Sequence, residues 1–390
     1  MEDLDFLENA SASYTDLEEN GPPIMPIPFD RAQVGRAIRV DAPVFNPRTH
    51  ECLKVTNIIY EHHMDGRPPE RAYWVGRKLK KCIFGVVKEC TILKFRNDPE
   101  MPWEVTEHKA AGKIMSWQKI KDLQHIEDPQ KEVAAMQFVS RGGTHPHVMG
   151  ALDVLQDEEY LLLFMPFCTS GDLFGFVQQA GRFPEDMARY WFTQILDGLT
   201  HLQRMGVCHR DMSLENILVD EYTRSVVIDL GMCVRVPYDN GGEIGDVTCG
   251  GLRRLIRPLI PCGKPNYISP EILSSDGPFD GFGIDLWATG VILFIMLVGL
   301  PPWEFARPED PRYKMVIKGK LGRMLDSWKR PVSALAADLL QKMLMEDPHQ
   351  RLSLTEVKDH PWVVGEAPDT TTDSMLYQGG GNDIDQGWRT

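Results

Sequence analysis

The sequence predicts an α+β chain of two unequal lobes, the first rich in strands and the second mainly helical. Residues 73–94 are rich in Val, Ile and Leu in alternating stretches, which is typical of strands. From Pro184 onward, apolar residues recur every three or four positions, which is typical of helices that pack on a core. Because strands and helices that are segregated along a chain form separate layers, this order indicates two lobes.

The smaller lobe is predicted to contain more than the first strands. A polar stretch over residues 96–107 separates them from another short apolar run over residues 110–115. Residues 128–140 start with Asp-Pro and continue with apolar anchors, which predicts a helix. Residues 160–164 form a short apolar run that favours a strand.

The larger lobe is predicted from longer periodic segments. Apolar residues between positions 188 and 202 recur at helical steps, and Gly206 follows as a helix stop. Two short apolar runs, over residues 217–219 and 226–228, predict a hairpin. The patterns over residues 285–299 and 333–345 predict two further helices.

Both ends of the chain are predicted to lie outside the two lobes. Residues 1–50 begin with acids and continue through a Pro-rich stretch, and residues 366–390 are similarly polar, so we expect both to be disordered. Residues 1–20 carry seven acids and no base. A solvated acidic end and a partner-binding acidic segment both fit this composition.

Composition excludes several classes of protein. With 390 residues, of which 43% are hydrophobic, the chain can bury a large core, and its net charge of −14 lacks the basic surplus of a nucleic-acid-binding protein. The longest apolar stretch, residues 286–300, is shorter than a membrane span needs, and the N-terminus lacks the pattern of a secretory signal. The eight widely spaced Cys favour reduced thiols, so we expect an intracellular location, cytoplasmic or nuclear.

The sequence VCHRDMSLEN, residues 207–216, carries the strongest chemical signal in the chain. It places Asp211 five residues before Asn216, and Asp229 follows at the end of the next predicted strand. Such oxygen groups on neighbouring loops suit Mg²⁺, which binds one or two carboxylates together with substrate phosphates.

This arrangement resembles the eukaryotic protein kinase family, whose catalytic loop reads H-R-D-x-x-x-x-N and whose metal motif reads D-F-G. The resemblance implies the two-lobed protein kinase fold over residues 73–363. It divides this domain into a small lobe over residues 73–164, a hinge over residues 165–168 and a large lobe over residues 169–363. It also implies ATP and Mg²⁺ as cofactors and proteins as substrates.

Other motifs in the same order extend the resemblance. The sequence AGK ending at Lys113 is similar to the family's strand lysine motif, and Glu132 on the predicted helix takes the place of its pairing glutamate. The segment NYISPE ending at Glu271 resembles the A-P-E motif, and Arg351 matches the arginine that pairs with that glutamate. The sequence HPW at residues 360–362 closes the domain as in calcium/calmodulin-dependent-type kinases.

The resemblance assigns a role to each residue of the predicted catalytic site. Asp211 is expected to orient the substrate hydroxyl and accept its proton, and Asn216 and Asp229 to hold Mg²⁺. Lys113, braced by Glu132, is expected to hold the ATP phosphates.

The adenine site follows from the same resemblance. Ala111 and Leu218 are expected to sandwich the base, with Met165 as the gatekeeper. Other expected nucleotide contacts are Leu79, Gly85, Val87, the hinge residue Cys168 and the ribose-binding Asp172.

The chain departs from the family pattern in three places. The segment over residues 79–87 keeps only the third glycine of the Gly-rich loop, Gly85, and Leu230 replaces Phe in the metal motif. Ser213 stands where serine/threonine kinases carry a phosphate-contacting lysine, and Lys264 stands where they carry a threonine. We therefore expect Lys264 to reach the same phosphate from the opposite wall, although a loss of the first lysine, with Lys264 pointing to solvent, also fits.

Two functional classes remain open at this point. The catalytic set favours an ATP-dependent protein kinase, and Glu215 favours Ser/Thr over Tyr acceptors because related tyrosine kinases carry a different sequence there. The degenerate Gly-rich loop favours a pseudokinase, which is a binding or scaffold module with little turnover. A small-molecule kinase is disfavoured by the peptide-binding segment around residues 269–271.

Overall fold

A computed structural model describes residues 27–123, 128–236, 255–256, 261–274 and 277–365. The first part of the chain folds into a β-barrel with two helices. The strands are Gly35–Asn46 (β1), Glu51–His62 (β2), Arg71–Lys81 (β3), Gly85–Phe95 (β4), Trp103–Ser116 (β5), Asp153–Gln156 (β6) and Tyr160–Pro166 (β7). The helices are Trp117–Leu123 (α1) and Pro129–Val139 (α2). The predicted strands and helix of the small lobe are therefore confirmed.

Strands β1 and β2 close the barrel, which has the strand order β1-β2-β3-β4-β5-β7-β6. Neighbouring strands are antiparallel, except that the start of β1 pairs in parallel with β6 and its end with β5. Our expectation that residues 1–50 are disordered is therefore wrong from residue 27 onward, and the folded domain begins before residue 73. Residues 1–26 and 366–390 lie outside the described part of the chain.

Strand β1 was not predicted because its sequence contains residues that are uncommon in strands. The register between β1 and β2 shifts between Val40 and Ala42, where Asp41 faces the two residues Thr56 and Asn57, so the bulge lies in β2, and the carboxylate of Asp41 accepts a hydrogen bond from the backbone N–H of Asn57 at 3.1 Å. Pro43 follows within the strand. A Pro and an Asp both argue against a strand when only the local sequence is considered, and two of the three strands that pair with β1, β5 and β6, are distant in sequence.

The second part of the chain is mainly helical. Its helices are Leu173–Ala180 (α3), Glu185–Arg204 (α4), Pro270–Ser274 (α5), Gly281–Val298 (α6), Pro311–Ile317 (α7), Leu321–Ser327 (α8), Ala334–Met343 (α9), Leu354–Lys358 (α10) and Pro361–Val364 (α11). Short antiparallel strand pairs lie among them, formed by Val207–Cys208 (β8) with Val234–Arg235 (β11), Ile217–Val219 (β9) with Ser225–Val227 (β10), and Leu255–Ile256 (β12) with Phe279–Asp280 (β13). These elements confirm the two-lobed α+β fold.

Helix α6 forms the centre of the helical lobe. It is long and apolar enough to cross a membrane by length and composition, but 94% of it is buried inside the domain. The helix begins at Asp280, whose carboxylate accepts from the N–H of Phe282, and ends at Gly299 in the left-handed conformation. Its apolar side chains pack against α4 and α9, as expected of a core helix.

A buried ion pair ties the end of the domain to the segment before α6. Arg351, which is 1% exposed, donates to both carboxylate oxygens of Glu271 at 2.7 and 3.0 Å and to the carbonyl of Gly283 at 2.9 Å. The predicted pairing of Arg351 with Glu271 is therefore confirmed. The Arg351 guanidinium also lies over the ring of Trp287.

The Arg351→Met variant is expected to lower the free energy of unfolding by about 3–5 kcal/mol, because it leaves Glu271 without the partner of a desolvated pair. Denaturant unfolding of the two proteins measures the difference. Adding Glu271→Gln to this variant is expected to cost much less than Glu271→Gln alone, since both residues act in one interaction. A loss below about 1 kcal/mol for Arg351→Met would contradict this account.

A histidine cluster joins the loop between α2 and β6 to α4. The ring of His145 stacks on that of His201 with centroids 4.6 Å apart. Burial, together with the neighbouring His201 and His147, lowers the pKa of His145 to about 4. Its ordinary pKa of about 6.5 in the unfolded chain is higher, so unfolding takes up a proton below that pH.

The domain is therefore expected to lose stability through His145 as the pH falls from about 6.5 toward 4. The His145→Asn variant retains an acceptor for the N–H of His147 but does not titrate. Its Tm is expected to fall less between pH 7.5 and pH 5 than that of the wild type. Equal decreases in the two proteins would show that His145 does not contribute to acid sensitivity.

Candidate active site

The segment over residues 207–216 is held by the first turns of α6. The carboxylate of Asp285 accepts hydrogen bonds from the backbone N–H groups of His209 at 2.6 Å and Arg210 at 2.8 Å. Arg210 adopts a positive φ of 68°, a conformation that costs a non-glycine residue free energy. Burial raises the pKa of Asp285, whereas the hydrogen bonds that it accepts act in the opposite direction. This anchoring fixes the backbone on which Asp211 stands.

Asp211 and Asn216 form a direct contact. The side-chain amide of Asn216 donates to Oδ2 of Asp211 at 2.9 Å and to its backbone carbonyl at 2.8 Å. The other oxygen, Oδ1 of Asp211, is buried and accepts no hydrogen bond from the described residues. An unpaired buried carboxylate oxygen is costly, and a substrate hydroxyl that donated to it would satisfy it.

Asp229 follows β10 in a strained conformation. Its φ of 65° lies in the left-handed region, and its Oδ1 accepts from the N–H of Gly231 at 3.3 Å. Because Asn216 uses its amide N–H for Asp211, its Oδ1 is the atom suited to a metal ion. One carboxylate and one amide oxygen are a fitting set of donors for Mg²⁺ that also binds phosphates. No larger cluster of metal-binding side chains occurs among the described residues.

Lys113 and Glu132 form the predicted ion pair. Strand β5 carries Lys113 and the first turn of α2 carries Glu132, and the ammonium donates to the carboxylate. Burial acts to lower the pKa of Lys113, but the charge and hydrogen bond of Glu132 raise it, and the pKa lies above the ordinary value. Lys113 is therefore charged and oriented at neutral pH.

Lys264 and Ser213 lie side by side near the catalytic loop. The ammonium of Lys264 donates to Oγ of Ser213 at 2.8 Å and lies 3.8 Å from Oε2 of Glu215. Ser213 is fully buried, and Lys264 retains 37% of its side-chain exposure. The expectation that these two positions face each other is confirmed, whereas the contact of Lys264 with phosphate stays a prediction.

The expected adenine site lies between the lobes. Ala111 on β5 is paired with Met165 on β7, and Leu218 forms an isolated bridge with Asp172. Asp172 is the N-cap residue of α3, where its Oδ1 accepts from the N–H of Gly175 at 2.8 Å. Cys168 is buried, which raises the pKa of its thiol to about 12. Cys168 belongs to the core against which Met165 and Leu218 pack, and the contacts of all these positions with nucleotide stay predictions.

The hairpin in place of the Gly-rich loop is tight. Cys82 and Gly85 exchange backbone hydrogen bonds at 3.0 and 3.3 Å, and Phe84 is buried in the main core. A Cβ at Gly85 would lie 1.8 Å from the carbonyl oxygen of Ile114, so this position requires glycine for the close approach of β4 to β5. Leu79 and Val87 lie on the two strands of this hairpin.

Sequence reasoning missed Gly263 and the buried Gln137. Gly263 has a φ of 91°, and a Cβ there would lie 3.0 Å from Oδ1 of Asp211, so this position favours glycine next to the carboxylate. Its position directly before Lys264 and Pro265 was the available signal. Gln137 lies on the apolar face of a helix, where the sequence offers no functional signal.

Comparison with known proteins agrees with this geometry. The protein kinase domain family matches residues 103–363. The SNF1-related protein kinase catalytic subunit alpha KIN12 of Arabidopsis thaliana is 32% identical over 67% of this chain and 48% of its own length. The calcium-dependent protein kinase 2 of Oryza sativa subsp. japonica is 31% identical over 80% of this chain and 55% of its own length.

A third relative is covered more completely. The serine/threonine-protein kinase SRK2C of Arabidopsis thaliana is 31% identical over 64% of this chain and 73% of its own length. The chain thus spans about half the length of the first two relatives and most of the third. With the lysine–glutamate pair, the catalytic loop and the matched domain in agreement, the chain belongs to the protein kinase family.

Proposed function

We propose that the protein transfers the γ-phosphoryl group of ATP, with Mg²⁺, to Ser or Thr hydroxyls of protein substrates. The observation that carries the proposal is the complete set of polar groups in one cleft. It consists of Asp211 with a buried, unpaired Oδ1, the adjacent Asn216 and Asp229, and the Lys113–Glu132 pair.

Asp211 provides the position for the acceptor hydroxyl. With Oδ2 fixed by Asn216, Oδ1 accepts the hydrogen bond of the hydroxyl, orients its oxygen toward the phosphoryl group and takes its proton as the bond forms. A side chain at Gly263 would crowd Oδ1, because its Cβ would lie 3.0 Å from this oxygen. Catalysis here rests mainly on positioning and charge, as is general for phosphoryl transfer.

Cations arranged around the cleft stabilise the phosphates. Lys113, held by Glu132, pairs with the ATP phosphates, and Asn216 and Asp229 would hold Mg²⁺, which would neutralise charge on the phosphate oxygens. We further propose that Lys264, beside Ser213, supplies a cation to the transferring phosphoryl group. Related kinases carry this charge at the position of Ser213, so Lys264 would supply it from the opposite wall of the cleft.

The rival function is a pseudokinase, which the tight, glycine-poor hairpin at residues 82–85 favours. The paired Lys113 and the intact catalytic loop oppose it, because a module without turnover has no need for an unpaired carboxylate oxygen at this point. The protein kinase names of the relatives also support an active enzyme.

Acceptor specificity tests the proposal. Peptides that are identical except for a single Ser, Thr or Tyr are incubated with the protein, ATP and Mg²⁺, and mass spectrometry identifies the products. Phosphorylation of the Ser and Thr peptides, with little on the Tyr peptide, is expected. Exclusive Tyr phosphorylation would contradict the acceptor assignment, and binding of ATP without any product would favour the pseudokinase.

A further inference from the structure

We propose that residues 27–34 form an N-terminal strap that positions helix α2 for catalysis, and that Gln137 is the positioning residue through which the strap acts. The consequence for activity rests on the function proposed above. The strap precedes β1 and lies beside the C-terminal part of α2, whose first turn carries Glu132.

The strap and the helix are joined by a two-sided amide contact. The backbone N–H of Asp30 donates to Oε1 of Gln137 at 3.1 Å, and Nε2 of Gln137 donates to the carbonyl of Asp30 at 3.1 Å. Gln137 is 4% exposed, and it alone has a polar side chain among the eight buried residues of this helix. Without the strap, both ends of a buried amide would lose these partners, which is costly.

The strap itself is fixed to the rest of the small lobe. The side chains of Ile27, Phe29 and Val34 pack against the main core. Asp30 caps the short helical turn Arg31–Gln33 through the N–H of Ala32 at 3.1 Å. The chain then enters β1, whose first residues pair with β6. The strap therefore connects the end of α2 to the barrel at a defined position.

The strap acts on the proposed catalytic site through helix α2. Glu132 and Gln137 lie five residues apart, which is about 7.5 Å along the axis, so a helix held at Gln137 also holds Glu132. Phosphoryl transfer in this family requires the lysine–glutamate pair to be in place. A contact that exists only when α2 is docked shifts the population toward the arrangement in which Glu132 meets Lys113.

The first test is the Gln137→Met variant of the full-length chain, which removes both hydrogen bonds with little change in volume. Its kcat is expected to fall about 3- to 30-fold. Hydrogen–deuterium exchange at the α2 amides is expected to accelerate, while exchange at α4 in the other lobe stays unchanged. Gln130→Met, the same change two turns earlier on the same helix, is the matched control and is expected to retain wild-type kcat.

A double-mutant cycle separates positioning from general destabilisation. If Gln137 acts through Glu132, the Gln137→Met change should cause little further loss of kcat in a Glu132→Gln background. The same fold-loss in both backgrounds would overturn the proposal, as would wild-type kcat in Gln137→Met despite faster exchange at α2. Phe29→Ala, which removes a strap side chain that packs against the main core, is expected to reproduce the pattern of Gln137→Met.

The same measurements separate a failure of the strap proposal from a failure of the proposed function. If the wild-type protein transfers no phosphate, the proposed function fails, and the strap is then judged on ATP affinity and exchange. Weaker ATP binding together with faster α2 exchange in Gln137→Met would support the strap. Unchanged ATP affinity and unchanged exchange would overturn it.

Discussion

The Asp211→Asn variant is expected to lose about 10²–10⁴-fold in kcat while it keeps its fold and nearly all its affinity for ATP. An amide in place of the carboxylate can still accept the hydrogen bond of Asn216, so the local geometry is retained. It cannot take the proton of the acceptor hydroxyl. Steady-state phosphorylation, calorimetric ATP binding and the Tm of the variant together measure these three properties.

Asp326→Asn is a suitable control, because Asp326 is exposed on α8 and distant in sequence from the cleft. This control is expected to behave as the wild type in all three measurements. Wild-type turnover in Asp211→Asn would remove Asp211 from the role of base. A large fall in the Tm of Asp211→Asn would instead indicate that the residue is mainly structural.

The Lys264→Ala variant is expected to lower kcat at least ~10²-fold, with a smaller effect on ATP affinity. The loss of one preorganised group that stabilises developing charge costs about 3–4 kcal/mol in other enzymes. The hydrogen bond from Lys264 to Ser213 places this cation beside the catalytic loop rather than in bulk solvent. Single-turnover phosphorylation at saturating ATP separates the effect on the chemical step from the effect on binding.

Positions 213 and 264 carry a hydroxyl and an amine, the reverse of the arrangement in related kinases, and this exchange offers a sharper test. A Ser213→Lys/Lys264→Thr double variant restores the arrangement that related kinases carry, and it is expected to recover part of the activity lost in Lys264→Ala. Such non-additivity is expected only for residues that share one partner. Full kcat in Lys264→Ala would show that Lys264 has no role in transfer.

The catalytic set could be predicted because its signal is local. The residues from 207 to 216 stand on one loop with fixed spacing, and the helix with Glu132 begins at an Asp-Pro pair that caps it, as the sequence indicates. The helix α6 could also be predicted from the sequence, because a continuous apolar run of this length indicates a buried helix. Local patterns therefore positioned most of the elements that carry the site.

The missed parts depend on contacts between distant segments. Strand β1 contains Asp41 and a Pro at position 43 and faces a bulge in β2, and its pairing with β6 joins residues about 120 positions apart. The tight hairpin that ends at Gly85 depends on the close approach of β5 at Ile114. The sequence around Gly85 does not indicate this approach. Gln137 is bonded to backbone groups of Asp30 in the strap, and such a contact cannot be predicted from the pattern of side chains in the sequence.

The decisive measurement of the proposed activity is the transfer of labelled phosphate from ATP to a generic basic protein, in the presence of Mg²⁺ and with Asp211→Asn in parallel. We expect phosphorylated substrate with the wild type, in amounts equal to the ADP formed, and a rate reduced at least ~10²-fold with the variant. ATP binding without phosphorylated product, or equal rates from the two proteins, would contradict this expectation.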